Sequence, residues 1–149
     1  MYKVYLDTSV ISGLFDNKNP ERQELTKQFF DKINRFDVYV SQLTIAEINN
    51  TQDLSLKAKM TAIVKEIKVL EIKNPVEDLT QTYIDYKAVP ETYKEDAYHI
   101  AIAVVGNMDY LLSWNFKHLV RLKTRDIVRM VNTLKGLKNL EIITPAELL

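Results

Sequence analysis

The chain has 149 residues, 46% of them hydrophobic and 27% charged, with 20 basic residues set against 20 acidic ones and no cysteine. That length fits one domain, residues 1–149, able to bury about two-thirds of the surface its unfolded form exposes. The balance excludes a global field for a nucleic-acid partner and the missing cysteine excludes disulfides, thiolate zinc sites and cysteine nucleophiles; no apolar run nears the ~18 residues of a membrane span.

Only Gly13, Gly106 and Gly136 are present, too few and too scattered for a glycine loop to bring backbone amides onto a phosphate. Met1-Tyr2-Lys3 runs straight into a β-prone stretch without a signal peptide's apolar segment, so a cytoplasmic, reducing setting is expected.

Residues 2–6 read as a strand, rich in the Val, Tyr and Leu that suit a pleated surface. Asp7 ends it, and Thr8 or Ser9 can cap a short helix running toward Phe15. Asn17 to Pro20 is a turn, and Leu25, Phe29, Phe30 and Ile33 recur at helical spacing up to about Asn34. Asp37 to Ser41 is a second strand. Thr44, with Glu47 three residues on, has the spacing of a capping box and opens another helix. Leu54 to Ile67 is helical, and Val69 to Ile72 is a third strand. Pro75 opens a helix through Leu79, Tyr83 and Tyr86 that breaks near Pro90. Lys94 to Val105 is apolar nearly all round, which marks a central helix. Tyr110 to Ser113 is a fourth strand, about 125–134 a helix, and Leu140 to Ile143 a fifth strand. Strands alternating with helices predict an α/β fold: a central five-stranded parallel sheet with helices on both faces.

In this scheme three acids reach the carboxyl edge of the sheet, where open α/β sheets bind ligands. Asp7 ends the first strand, Glu47 falls in the first turn of the helix after the second, and Asp96 in the first turn of the central helix. Each has two readings. As caps or partners of the helix dipole they contribute about 0.3–1 kcal/mol each. As a cluster they offer oxygen ligands to a hard cation such as Mg²⁺ or Mn²⁺. Their convergence favours the second. Asn115, at the carboxyl end of the fourth strand, either offers a carbonyl oxygen to a metal or its water, or caps the next turn.

These residues resemble a known family. Tyr5-Leu6-Asp7-Thr8-Ser9, Thr44-Ile45-Ala46-Glu47-Ile48, Glu95-Asp96-Ala97-Tyr98-His99-Ile100-Ala101, Leu111-Leu112-Ser113-Trp114-Asn115-Phe116-Lys117-His118 and Ile142-Ile143-Thr144-Pro145-Ala146-Glu147-Leu148 occur in the order found in PIN domains. Within those, they are most similar to the small VapC-type ribonuclease toxins. The resemblance implies metal-dependent cleavage of RNA, with Asp7, Glu47, Asp96 and Asn115 in the catalytic and metal-binding places and Mg²⁺ or Mn²⁺ as cofactor. It also implies 5′-phosphate and 3′-hydroxyl products, a homodimer, and a small antitoxin protein as partner. Asn115 departs from the aspartate many members carry, which bears on whether one or two ions bind.

Other residues near these motifs keep a structural alternative. His99 is read as packed in its apolar helix or as a partner of the site, and His118 as a surface residue near it. Thr8 and Ser9 are caps or positioners of Asp7. Trp114 is core beside the fourth strand, or a base-stacking ring. Lys117, Arg121, Lys123, Arg125, Arg129, Lys135 and Lys138 are opposed only by Asp126, forming either a solvated helix face or a path for an RNA backbone. The competing function is a non-catalytic PIN-like domain that binds RNA or protein. A receiver-like signalling domain is a third, but Ile72-Lys73-Asn74 stands where its phosphoacceptor aspartate belongs.

Overall fold

Five strands, β1 (Lys3–Leu6), β2 (Asp37–Ser41), β3 (Lys68–Leu70), β4 (Tyr110–Leu112) and β5 (Glu141–Ile143), pair in the computed structural model, which describes Met1–Leu149. They form one parallel sheet in the order β3-β2-β1-β4-β5. β1 is central, its Val4 opposite Val38 on one side and Tyr110 on the other. The chain first builds outward from β1 through β2 to β3, then returns to add β4 and β5 on the other side. Connections therefore diverge at the carboxyl ends of β1 and β4, leaving the crevice in which such sheets hold ligands.

Alternation along the strands sorts the core onto two faces. Tyr5, Leu111 and Ile142 face α5 (Pro75–Asp85), α6 (Lys94–Val105) and α7 (Leu122–Leu134). Val4, Leu6, Val38, Val40 and Leu112 face α1 (Thr8–Gly13), α2 (Pro20–Asp31) and α4 (Leu54–Val64). α3 (Gln42–Asn49) lies at the boundary: Ile48 joins the second cluster while Leu43 packs on the first. The sequence expectation for α6 holds at both ends, and seven of its residues are buried. No helix is long and apolar enough to cross a membrane.

Several boundaries differ from the sequence expectation, for local reasons. α3 begins at Gln42, not Thr44, because Ser41 is its cap and accepts from the Leu43 amide at 3.2 Å. Thr44 lies inside the helix, buried, with its hydroxyl turned back toward β1. Glu47 consequently falls in the second turn rather than the first. α4 ends at Val64 because the next turn tightens to i−3 bonds, Glu66 to Ile63 and Ile67 to Val64. β3 is Lys68–Leu70, the length over which it pairs with Tyr39–Ser41. α7 starts at Leu122, three residues before the expected start, and its cap position is Arg121, which makes no capping bond with its side chain.

Tyr83 is fully buried on α5 and donates its hydroxyl to Asn132 Oδ1 on α7 at 2.5 Å. Tyr83→Phe removes the donor and leaves a buried carbonyl unpaired, at a cost of about 1–3 kcal/mol. Thermal unfolding should show a melting temperature lower by about 2–4 °C for each kcal/mol lost; an unchanged value would mean the bond does not pin α5 to α7.

Candidate active site

Asp7 follows β1 directly and is only 5% exposed. It is the cap of α1, yet the capping bond from the Val10 amide, at 3.4 Å, is the longest it accepts. Shorter bonds come from hydroxyls: Ser9 donates to Oδ1 and Ser113 to Oδ2, each at 2.6 Å. Those hydroxyls are fixed in turn, because the Trp114 amide donates to Ser9 at 2.8 Å and the Asn115 amide to Ser113 at 2.9 Å. The end of β4 is thus stitched to the end of β1 through the two serines that hold Asp7. Burial still pushes the Asp7 carboxyl up, against the lowering by a charge on His99 and by the two serines.

Glu47 reaches the same place from α3. Its Oε1 accepts from Thr8 at 2.5 Å and from His99 Nε2 at 2.7 Å. A carboxylate only accepts, so Nε2 carries a proton, and Nδ1 lies 2.6 Å from the Tyr5 hydroxyl. Tyr5 lies 2.8 Å from Ser41, which can donate to it. A continuous chain, Ser41 to Tyr5 to His99 to Glu47, therefore runs from the sheet interior to the site. His99, Tyr5 and Ser41 are all buried. For Glu47 burial pushes the carboxyl up, but the bond to His99, its charge and the Thr8 bond outweigh it and hold the carboxyl below the usual range.

Asp96 lies in the first turn of α6, as the helical spacing predicts. Burial raises its carboxyl to about 6; Asp7 and Glu47 push the same way, while His99 and Asn115 oppose. Its single side-chain partner is the Asn115 amide nitrogen at 3.4 Å, a long bond. The Asn115 carbonyl oxygen accepts from the amides of Lys117 at 3.1 Å and His118 at 3.0 Å, so its capping role is filled. Asp7, Glu47 and Asp96 come together; Asn115 joins them through its nitrogen.

The remaining expectations divide. Thr8 and Ser9 donate to Glu47 and Asp7 and cap nothing. Trp114 is 8% exposed and donates to Thr26 at 3.0 Å, so it packs in the core. His118 is not a free surface residue: it stacks on Tyr93 with 4.0 Å between ring centroids, and its Nδ1 is buried without a partner. The last member of the basic run lies away from the site. Lys117 and Arg121 lie close enough to His118 to depress its basicity, after burial. Lys138 bonds Asp109 at 2.6 Å, beside Lys3 at the opposite edge of the sheet. Ser113, Ser41 and the Tyr5 hydroxyl went unread in the sequence; Ser113 could have been noticed from its place just past a strand, whereas Tyr5 has no local signal.

The donor set is oxygen-only, with three carboxyls and no lysine or arginine paired to any of them; the ion pairs to such side chains, Lys68–Asp37 and Lys138–Asp109, lie elsewhere. That chemistry fits a hard divalent cation. No three histidine, aspartate or glutamate side chains close about a single point.

Residues 4–118 match the PIN domain family. No curated protein matches the chain. Among solved structures, VapBC2 from Rickettsia felis bound to a DNA fragment from their promoter is similar in fold, with a TM-score of 0.60 at 13% identity over 94% of this chain and 96% of that one.

Without a cation, the folded protein holds a proton on Asp96 up to about pH 6 that the unfolded chain releases near its ordinary value of roughly 4. Folded stability is therefore full below this window and declines as pH rises through it; Asp7 acts in the same direction, and Glu47 in the opposite one at lower pH. In EDTA, Asp96→Asn should raise the melting temperature at neutral pH and flatten its decline from about pH 4 to about pH 6. A lower melting temperature for the variant at neutral pH would show that the charge is not strained.

Proposed function

The chain belongs to the PIN domain family, and on that footing we propose that it is a metal-dependent ribonuclease that hydrolyses RNA phosphodiester bonds. The observation that carries the reading is the meeting of Asp7, Glu47 and Asp96 at the β1–β4 crevice with no lysine or arginine to neutralise them. Asp7 and Asp96 are the residues to hold the ion, and Glu47 adds its second oxygen directly or through water. Bound Mg²⁺ or Mn²⁺ supplies positive charge for the phosphodiester and lowers the pKa of a water to make a nucleophile at neutral pH.

The chain's own side chains do the rest. Ser9 and Ser113 fix both oxygens of Asp7 in its buried seat. Thr8 and His99 fix one oxygen of Glu47 and leave the other unbonded by them. Asn115 steadies Asp96 by donating to it, and its own carbonyl is taken up by the following turn, so we assign it positioning rather than direct ligation. Neither histidine is placed as a general base: His99 is bonded at both nitrogens, and His118 is stacked with Nδ1 buried. By likeness to VapBC2 we further propose a VapC-type toxin, a homodimer silenced by a cognate antitoxin protein.

The test is cleavage of a mixed tRNA and ribosomal RNA pool by wild type, Asp7→Ala and Asp96→Asn, in Mg²⁺, Mn²⁺ or EDTA. Wild type should cut with either metal, leave 5′-phosphates and 3′-hydroxyls, and stop in EDTA. Losing several kcal/mol of charge stabilisation should slow each variant on the order of a thousandfold with the fold intact by circular dichroism. Retained cleavage by Asp96→Asn would remove the assignment. RNA binding without cutting under any metal would favour the non-catalytic domain.

A further inference from the structure

Two half-exposed aromatic rings stand on either side of Asn115, and the mechanism above uses neither. Tyr93 is 50% exposed and lies three residues before Asp96, immediately before α6. One face of its ring lies on His118, 4.0 Å away with an interplanar angle of 28°. The His118 backbone is fixed too, since its amide donates to Asn115 Oδ1. Its Nδ1 has no hydrogen-bond partner, so on that side the stack with Tyr93, not a polar bond, holds the ring.

Phe116 follows Asn115 directly and is 51% exposed. It leans on buried Trp114, with centroids 6.3 Å apart, and the Arg22 guanidinium sits 5.7 Å from its ring and 5.3 Å from that of Trp114. Trp114 is seated firmly: a Cβ at Gly13 would stand 3.2 Å from its Cδ1, so glycine there is what lets the indole close in. Phe116 thus belongs to the α1–α2 side of the crevice and Tyr93 to the α6 side.

Burying neither ring fully forgoes apolar stabilisation that the fold could have taken. Cations accompany both, Lys117 adjoining His118 in the chain and Arg22 beside Phe116. An aromatic face with a cation next to it suits a nucleobase and its phosphate together. A base is free to lie on such a face only when it is unpaired, because in an A-form duplex both of its faces are stacked within the helix.

We propose that Tyr93, backed by His118, and Phe116, flanked by Arg22, are base-stacking platforms on the two sides of the acidic site. This rests on the ribonuclease reading. Bases of the nucleotides either side of the scissile phosphate lie on the two rings, and Lys117 and Arg22 meet the flanking phosphates.

The experiment measures binding of fluorescein-labelled RNA by anisotropy, with Ca²⁺ as the divalent ion, and cleavage in Mn²⁺. Three probes of one length are compared: single-stranded oligoadenylate, the same backbone made abasic, and the blunt oligoadenylate–oligouridylate duplex. Wild type should bind the oligoadenylate at least about tenfold tighter than the abasic strand or the duplex. Tyr93→Ala and Phe116→Ala should each lose about tenfold on oligoadenylate and nothing on the abasic strand, with the loss in KM rather than kcat. Tyr93→Phe should recover the affinity, while Tyr93→Leu, which keeps bulk over His118 and preserves the fold, should not. Unchanged oligoadenylate binding in both alanine variants overturns the proposal and leaves the two rings as a face for a protein partner. Equal losses on the abasic strand also overturn it. If wild type cuts RNA while the variants are unaffected, only the platforms fail; if wild type neither binds nor cuts any strand, the ribonuclease reading fails with them.

Discussion

A carboxylate buried where the sheet divides is the constraint around which this molecule is built. Asp7 is taken from water at the point where β1 sends the chain one way and β4 receives it from the other. An isolated buried charge is costly, so it must be hydrogen-bonded, protonated or matched by a cation. The protein does the first with Ser9 and Ser113, and in doing so ties two neighbouring strands together beyond their last backbone bonds. The two serines are themselves held by the backbone amides of Trp114 and Asn115, which places Asn115 beside Asp96. Geometry at one residue therefore sets the position of three others.

The two sides of the acidic site are held very differently. Glu47 sits at the end of a buried chain reaching back through His99 and Tyr5 to Ser41, all of it short and fully bonded. Asp96 has one long bond to an amide. The consequence is visible in the carboxyls: Glu47 is held below its ordinary range and Asp96 is lifted to about 6. The site thus holds one anchored acid and two whose carboxyls burial raises. Asn115 in place of a fourth acid limits the repulsion, since its nitrogen faces Asp96 where a carboxylate would add like charge.

A zero net charge conceals a local arrangement. The basic side chains after Asn115 are carried apart by α7, which runs from the crevice toward the opposite edge of the sheet. Lys117 and Arg121 stay by His118, while Lys138 is spent on Asp109 at the far edge. Next to Asn115 in the chain stand Trp114 and Phe116, with Arg22 over both rings, and His118 stacked on Tyr93. A zero net charge supplies no broad field to steer association.

The sequence by itself determined the architecture and the roster of acids. Period-two and period-3.6 patterns are local, so the strands, the apolar α6 and the arrival of Asp7 and Asp96 at one edge were legible from spacing alone. Boundaries failed where local chemistry offered rivals: Thr44 has the spacing of a capping box, but Ser41 caps α3 and Thr44 turns to Tyr5 and Leu6. α7 lacked any start signal because Arg121 occupies its cap position. Only the tertiary structure decided which polar side chains meet. Ser113 and Asp7 are 106 residues apart, His99 and Glu47 52, and Tyr5 and Ser41 36; a bond between residues so distant leaves no periodicity to read. The same holds for the rings: Trp114 and Phe116 look alike in sequence, but Thr26 and the space left by Gly13 seat one in the core while the other stays half-exposed.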